Sequence, residues 1–294
     1  MQIDILGAGA FGSALAIALG QNNYIRLVAL PKHLNDLFTG KNALNLSFPS
    51  SVEFDSAFRE RPDVVLVATP AQEIKNITPL LETLPYDVPI VFCSKGLYIE
   101  KKIPYLMTTY AALKLKNPLL VLSGPNFANE IAALKPSFAN IAGPNAESLC
   151  ETLSQSHFIL VPWHDSIGLQ IAGCFKNVAA IAAGYFDGKG CGLNERAALF
   201  PQILEEMICF GQHFWPENFD RDTLLTYGGI GDLVLTCTSI HSRNYKLGRW
   251  LAQGGNPHDL QETAEGVHTA RAIHAVSKNL KLPICALVYD ILND

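Results

Sequence analysis

Up to about residue 163 the apolar positions fall into short runs divided by longer amphipathic stretches. QIDILG (2–7), YIRLVAL (24–30), DVVLVAT (63–69), VPIVFCS (88–94), PLLVLSG (118–124), SFANIAG (137–143) and HFILVP (157–162) are brief and mostly rich in Val, Ile or Leu. Runs of this kind read as buried strands. Helix-like segments, such as 70–83 and 101–115, lie between most of them. Strand alternating with helix predicts a mostly parallel, doubly wound α/β sheet. Past Trp163 the strand signal nearly vanishes, and helical runs follow at 166–185, 194–214, 231–237, 245–253, 266–280 and 283–292. The expected organisation is therefore an α/β domain over 1–163 and an all-helical domain over 164–294.

The first strand leads into GAGAFGSALAIALG, which becomes helical from about Phe11. Gly7, Gly9 and Gly12 have the spacing of a dinucleotide cradle, with Ala10 and Phe11 inside it. In such a turn the first glycine allows the sharp bend and the second lets a pyrophosphate approach the backbone. The third lets the helix pack on the strand, and the helix N-terminus attracts the anion. Strand, glycines and helix in that order are the context the motif requires, so a Rossmann domain binding NAD or NADP is expected. An acid at the end of the second strand would hold the ribose 2′-hydroxyl of NAD. This strand ends Leu30-Pro31-Lys32-His33 instead. Lys32 and His33 are either partners for a 2′-phosphate or two solvated side chains that start a helix.

Composition narrows the field. The 294 residues are 49% hydrophobic and 17% charged, with a formal net charge of −5. That supports real cores, and without a long basic stripe it argues against nucleic acid or an anionic membrane as partner. The seven cysteines have no metal-ligand spacing and read as reduced thiols of a cytoplasmic protein, with no metal expected. MQIDILGAGAFG lacks a basic leading region, so no export signal is expected. The stretch 171–194 is apolar enough to mimic a bilayer span of about 20 residues. However, it carries Lys176 and Asn177 at its middle and ends in Asp187-Gly188-Lys189-Gly190, so a buried helix of a soluble protein fits better.

An ammonium inside an apolar helix can simply snorkel to the surface. Three other stretches give it company. In GGIGDLVLTCTSIHSRN (228–244), glycines lead to Asp232, and Thr236 shares its helix face four residues on. Ser242, Arg243 and Asn244 then offer a guanidinium and two polar groups suited to a phosphate or carboxylate, or else a capped helix with a surface arginine. In FCSKGL, Lys95 follows a strand and points to the crevice used by ligands of open α/β sheets, or to water. SGPNFANE places a helix N-terminus near Asn126, for an anion or for capping alone.

Taken in order, GAGAFGSALA, SKGL, LSGPNFANEIA, FKNVAAIAAGYFDG, GDLVLTCTS and SRN resemble the bacterial-type NAD(P)-dependent glycerol-3-phosphate dehydrogenases over residues 2 to about 290. The resemblance implies a Rossmann domain followed by a helical domain similar to that of 6-phosphogluconate dehydrogenase. It implies reversible reduction of dihydroxyacetone phosphate to sn-glycerol 3-phosphate for glycerophospholipid synthesis, with no stable membrane insertion and with a homodimer as one arrangement. By the same resemblance Lys176 is the general acid/base and Asp232 its catalytic partner. Lys95, Asn177, Thr236, Ser242, Arg243 and Asn244 surround the substrate with Asp232. Gly124, Asn126 and Ala128 lie where cofactor and substrate meet. Glu265, in AEGVHTA, serves the cofactor, as do Lys95 and Arg243. Asn126 stands where the family usually has serine or threonine, and Phe11 replaces a commoner tryptophan or tyrosine. The residues after the second strand depart from the usual tryptophan-arginine neighbourhood, which leaves the NAD/NADP preference open. The chain stops at Asp294, before the final helices of the family, which bears on closure and dimer contacts.

The apolar setting of Lys176 has a chemical reading. Hydride arriving at a ketone carbon leaves negative charge on its oxygen, which needs a proton or a donor. A free lysine titrates at about 10.4 and is a reluctant acid at neutral pH. Burial and a second ammonium at Lys95 are expected to lower that value, and Asp232 to oppose them and hold the amine. Two other readings remain: a ketopantoate or β-hydroxyacid reductase on the same architecture, and a dinucleotide sensor without turnover. Ser242-Arg243-Asn244 argues against the first, and the intact Lys176, Asp232 and Arg243 against the second.

Overall fold

The computed structural model describes residues 1–39, 44–257 and 264–293, with the backbone alone at Lys32. The chain divides into two compact units. One is Met1–Ser94 with Met107–Ser166; the other is Lys95–Leu106 with Ile167–Asp294. A single cut at 163/164 does not describe this division, because residues 95–106 group with the C-terminal half.

The first unit begins with β1 (Gln2–Leu6), α1 (Ala10–Leu19), β2 (Tyr24–Val28), α2 (Pro31–Phe38), β3 (Val52–Asp55), β4 (Val64–Val67), α3 (Ile74–Leu81) and β5 (Ile90–Phe92). The chain then enters the second unit for β6 (Tyr98–Glu100) and β7 (Ile103–Tyr105). It returns as α4 (Met107–Ala111), β8 (Leu119–Ser123), α5 (Ala128–Ala132), β9 (Ser137–Ala142), α6 (Ala146–Leu153) and β10 (Phe158–Trp163). The sheet order is β10-β9-β8-β5-β4-β1-β2-β3, parallel throughout except between β8 and β9. Strands buried on both faces need continuous apolar runs, and Ile3, Ile5, Leu27, Leu66, Val91 and Leu122 form the centre of this core. The chain departs from β1 toward β2 on one side, while β4 lies on the other. That reversal is a topological switch point, and the β1–α1 turn stands at its carboxyl end.

Two local expectations fail. Residues 101–115 are not one helix: β6 and β7 form an antiparallel hairpin, with Lys101 and Lys102 at φ 51° and 66° in its two-residue turn. Pro104 explains this, since its ring and missing N–H oppose a helix interior; only Met107–Ala111 is helical. The sequence reading also missed β3, a four-residue strand, VEFD, too short for its pattern to stand out.

The second unit contains the hairpin and six α-helices among the described residues: α7 (Ser166–Gly188), α8 (Leu193–Phe214), α9 (Asp232–Thr238), α10 (Arg243–Ala252), α11 (Glu265–Val276) and α12 (Pro283–Ile291). Among the described residues, 164–294 supply only helices, as expected, and the hairpin joins this unit from 95–106. Helix α7 is the axis of its core, packed with Leu97 and Leu106 from the hairpin segment and with Ile203, Phe210, Leu233, Tyr245 and Ile273. Its small residues have a geometric cause. A Cβ on Gly184 would lie 2.0 Å from the Tyr245 carbonyl oxygen, and one on Gly248 would lie 1.9 Å from that of Ile181. The backbones of α7 and α10 therefore touch, which no larger residue would allow. By length and hydropathy α7 could cross a membrane, but 89% of its most apolar window is buried inside the protein. On α8, the buried Glu206 accepts hydrogen bonds from the Ile284 and Cys285 N–H groups and so caps α12.

Candidate active site

In the first unit the candidate positions are shaped mainly by backbone. Gly7 sits at φ +114°, a conformation that side chains oppose. A Cβ on Gly12 would fall 1.8 Å from the Gly7 carbonyl oxygen, so this glycine is what lets α1 close onto β1. Gly9, the N-cap of α1, has nothing within 4 Å of its Cβ position. An exposed N-terminal turn with open space at its second glycine fits a pyrophosphate. Ala10 is exposed and Phe11 half-buried at the start of the same helix. His33 is exposed in the first turn of α2, while the Lys32 side chain lies outside the described residues. Gly124 is a packing glycine, since its Cβ would meet the Phe138 carbonyl oxygen at 2.3 Å. Asn126 donates through Nδ2 to that same oxygen at 3.0 Å, and Ala128 opens α5.

In the second unit the chemistry lies in buried side chains. Asp232 is 1% exposed and is the first residue of α9. Its two oxygens face two ammoniums: Lys176 Nζ lies 2.8 Å from Oδ1, and Lys95 Nζ lies 2.5 Å from Oδ2. Lys176 also donates to Thr236 Oγ1 at 3.0 Å, and Thr236 donates to the Asp232 carbonyl at 2.7 Å. These bonds use two of the three N–H groups of the Lys176 ammonium. Burial pushes the Lys95 pKa down; Asp232 opposes the shift and Lys176 adds to it. Burial by itself would raise Asp232, but the two ammoniums outweigh it and hold the carboxyl below its ordinary range.

A second polar chain lies beside the first. Gly266 N–H donates to Asn244 Oδ1 at 3.0 Å, Asn244 Nδ2 to Asn177 Oδ1 at 3.0 Å, and Asn177 Nδ2 to Glu265 Oε2 at 3.4 Å. A backbone N–H can only donate, so the chain sets the orientation of both amides and leaves Glu265 as the terminal acceptor. Lys176 and Asn177 thus face different partners from adjacent positions of α7. That is why an ammonium and an amide stand together in an apolar helix.

The structure brings together Lys95, Lys176, Asp232 and Thr236, and separately Asn177, Asn244 and Glu265. Of the two readings the sequence left for Ser242-Arg243-Asn244, the structure shows the capped helix start at Ser242. It is 4% exposed and accepts from Tyr245 N–H as the N-cap of α10, because a helix start needs that acceptor. Arg243 follows it, exposed. Sequence reasoning missed two contributors. Gly173 makes room for the Lys95 stem, whose Cγ would lie 3.3 Å from a Cβ there; its place one turn before Lys176 was a usable signal. Gly266 starts the amide chain through its backbone, which no side-chain pattern reveals. Tyr227–Gly231, a kinked segment in which Gly229 leaves helical geometry (φ −90°, ψ −108°), leads into α9 at Asp232.

A glycine cradle at the switch point of a doubly wound sheet, joined in one chain to a buried Lys–Asp–Lys cluster, defines a dinucleotide-dependent oxidoreductase. Family models describing the N-terminus and C-terminus of NAD-dependent glycerol-3-phosphate dehydrogenase match residues 2–149 and 165–294, and the chain belongs to that family. Proteins named glycerol-3-phosphate dehydrogenase [NAD(P)+] are similar along nearly the whole length. The one from Gluconobacter oxydans is 36% identical over 308 residues, 99% of this chain and 92% of the relative. The one from Ehrlichia canis is 32% identical over 315 residues, 99% of this chain and 96% of the relative. The crystal structure of glycerol-3-phosphate dehydrogenase from Coxiella burnetii superposes with a TM-score of 0.89 at 30% identity, covering 99% of this chain and 94% of that one.

Proposed function

We propose that this protein catalyses the reversible, NAD(P)H-dependent reduction of dihydroxyacetone phosphate to sn-glycerol 3-phosphate. The observation that carries the reading is the Lys176 ammonium, nearly buried, anchored to Asp232 and Thr236, with one N–H left for a substrate oxygen. A bound nicotinamide dinucleotide supplies or accepts the hydride. Lys176 stabilises and protonates the carbonyl oxygen as charge develops there. Asp232 and Thr236 fix the direction of its N–H bonds, so no reorganisation is needed during reaction. Lys95 adds a second positive charge and Asn177 a fixed amide. Arg243 and Asn244, at the start of α10, hold the phosphate; a guanidinium meets two of its oxygens at once. The Gly7–Gly12 turn holds the cofactor pyrophosphate, His33 stands near its adenosine end, and Glu265 serves its nicotinamide end.

The product suits glycerophospholipid synthesis. A small soluble substrate and the burial of α7 suit a cytoplasmic enzyme needing neither nucleic acid nor membrane insertion, and sedimentation of the pure protein reads whether it works as a homodimer. Steady-state kinetics with dihydroxyacetone phosphate, and with NADH and NADPH in turn, test the reading. Turnover with a clear preference over unphosphorylated dihydroxyacetone and over 2-oxo acids supports it. Turnover only of a 2-oxo acid would sink it.

A further inference from the structure

Among the described residues, four buried side-chain polar atoms have no hydrogen-bond partner: Thr69 Oγ1, Ser123 Oγ, Asn126 Oδ1 and His157 Nε2. The first three share one end of one sheet. Thr69 lies two residues past β4, Ser123 is the last residue of β8, and Asn126 is in the turn that follows. Only β5 separates β4 from β8 in the sheet order. A buried hydroxyl without a partner opposes folding, so such atoms are rare and need a reason. Three at the carboxyl ends of two parallel strands, β4 and β8, stand where open α/β sheets take their ligands.

Thr69 is the one tied to the cradle. A Cβ on Gly7 would lie 3.0 Å from Thr69 N, so the two backbones abut. Ser94, just after β5, donates to the Thr69 carbonyl at 2.6 Å and pins the residue. Pro70 disfavours helical backbone at Thr69, which lies in a bend. The short helical turn Ala71–Glu73 that follows has no side-chain cap, so the hydroxyl does not serve as one. Valine would fill the same shape without burying an unpaired oxygen.

We propose that the Thr69 hydroxyl is a cofactor-binding group. It hydrogen-bonds the ribose–pyrophosphate part of the dinucleotide held by the Gly7–Gly12 turn, on the nicotinamide side of that turn. The proposal rests on the dinucleotide-binding reading above and names a further residue for it. The bond is made by either a ribose hydroxyl or a pyrophosphate oxygen, which share the same chemistry.

The test uses the full chain and its variants Thr69→Val and Thr69→Ser. Affinities for NADH, NADPH, ADP-ribose and ADP are measured by calorimetry, and melting is followed without ligand. Thr69→Val is expected to weaken NADH by roughly 3- to 10-fold, as for one hydrogen bond, while Thr69→Ser stays close to the parent. The ligand-free melting temperature of Thr69→Val should equal or exceed that of the parent, because an unpaired buried oxygen is removed. Loss with NADH and ADP-ribose but not ADP assigns a ribose hydroxyl; loss with all three assigns the pyrophosphate. Either result supports the proposal. Unchanged NADH affinity in Thr69→Val overturns it. So does a lowered ligand-free melting temperature, which would mean that the hydroxyl serves an internal partner. A parent protein that binds neither NADH nor NADPH would instead overturn the dinucleotide reading itself.

Discussion

The two units carry function in opposite ways. In the sheet unit the candidate site is made largely by what is missing: Gly7 and Gly12 have no side chains, so backbone approaches backbone and a helix N-terminus stands open. In the helical unit it is made by what is added: two lysines and an aspartate placed inside an apolar core. The first arrangement costs chain entropy and few desolvated charges. The second costs desolvation of three ions, offset only because each oxygen of Asp232 finds an ammonium. Binding a cofactor needs a shape that admits an anion. Moving a proton at a carbonyl needs a charged group held in a dry place. The contrast predicts that backbone-filling substitutions injure one unit and charge-removing substitutions the other.

The largest effect should come from Lys176→Ala. Loss of the acid/base is expected to lower kcat by about 10²–10⁴-fold, with cofactor affinity nearly unchanged. Stopped-flow hydride transfer and NADH titration check both parts; a fall below tenfold would return Lys176 to a structural role. Next, Asp232→Ala should destabilise the protein by about 3–5 kcal/mol, because it leaves two buried ammoniums without their carboxylate. Asp232→Asn keeps the shape and should lower kcat more than it raises KM. The pH dependence has a definite sign. The Asp232 carboxyl is held below its ordinary 3.8, so its stabilisation is fully present above that value and is lost as pH falls through the lowered folded value. Acid unfolding of Asp232→Asn should lack that part of the curve.

Arg243→Lys sharpens the comparison within the helical unit. If the guanidinium holds the phosphate, kcat/KM for dihydroxyacetone phosphate should fall by about 2–5 kcal/mol, with little change for unphosphorylated dihydroxyacetone. The two proteins and two substrates form a cycle, and a coupling near zero would remove Arg243 from the phosphate site. Gly12→Ala tests the sheet unit. Its Cβ must displace the Gly7 carbonyl, so a stability loss of about 1–3 kcal/mol is expected with weakened NADH binding. Unaltered binding would mean that the cradle is not a phosphate site. The smallest effect is His33→Ala, which should weaken NADPH by about 1 kcal/mol or less and spare NADH, since an exposed pair is screened. Equal change for both cofactors would leave His33 as a solvated side chain.

Much of this was legible in the linear order because it depends on local chemistry. The strands of the sheet core are runs of Val, Ile and Leu that need no partner information to be read. Gly7, Gly9 and Gly12 are read from their spacing between a strand and a helix, since a turn is a local object. Asp232 and Thr236 share a face because a helix repeats every few residues, and both meet Lys176. The hairpin at 98–105 escaped because its lysine-rich turn lacks glycine or asparagine, the usual marks of positive φ. Its assignment to the helical unit escaped because grouping depends on long-range packing of Leu97 and Leu106.

The sequence by itself therefore determined most of the order of elements, short of β3 and the β6–β7 hairpin, together with the glycine cradle and the residues that form the charged cluster, all through backbone sterics and hydrophobic period. Tertiary structure decided which charges meet. Lys95 and Asp232 are 137 residues apart and Lys176 and Asp232 are 56 apart, yet both lysines share one carboxylate. It also decided that Ser242 caps α10 and that Asn177 points along an amide chain started by the Gly266 backbone. A lysine's value as an acid depends on its neighbours and on the water excluded around it. Those are properties of packing in three dimensions, which spacing along the chain does not encode.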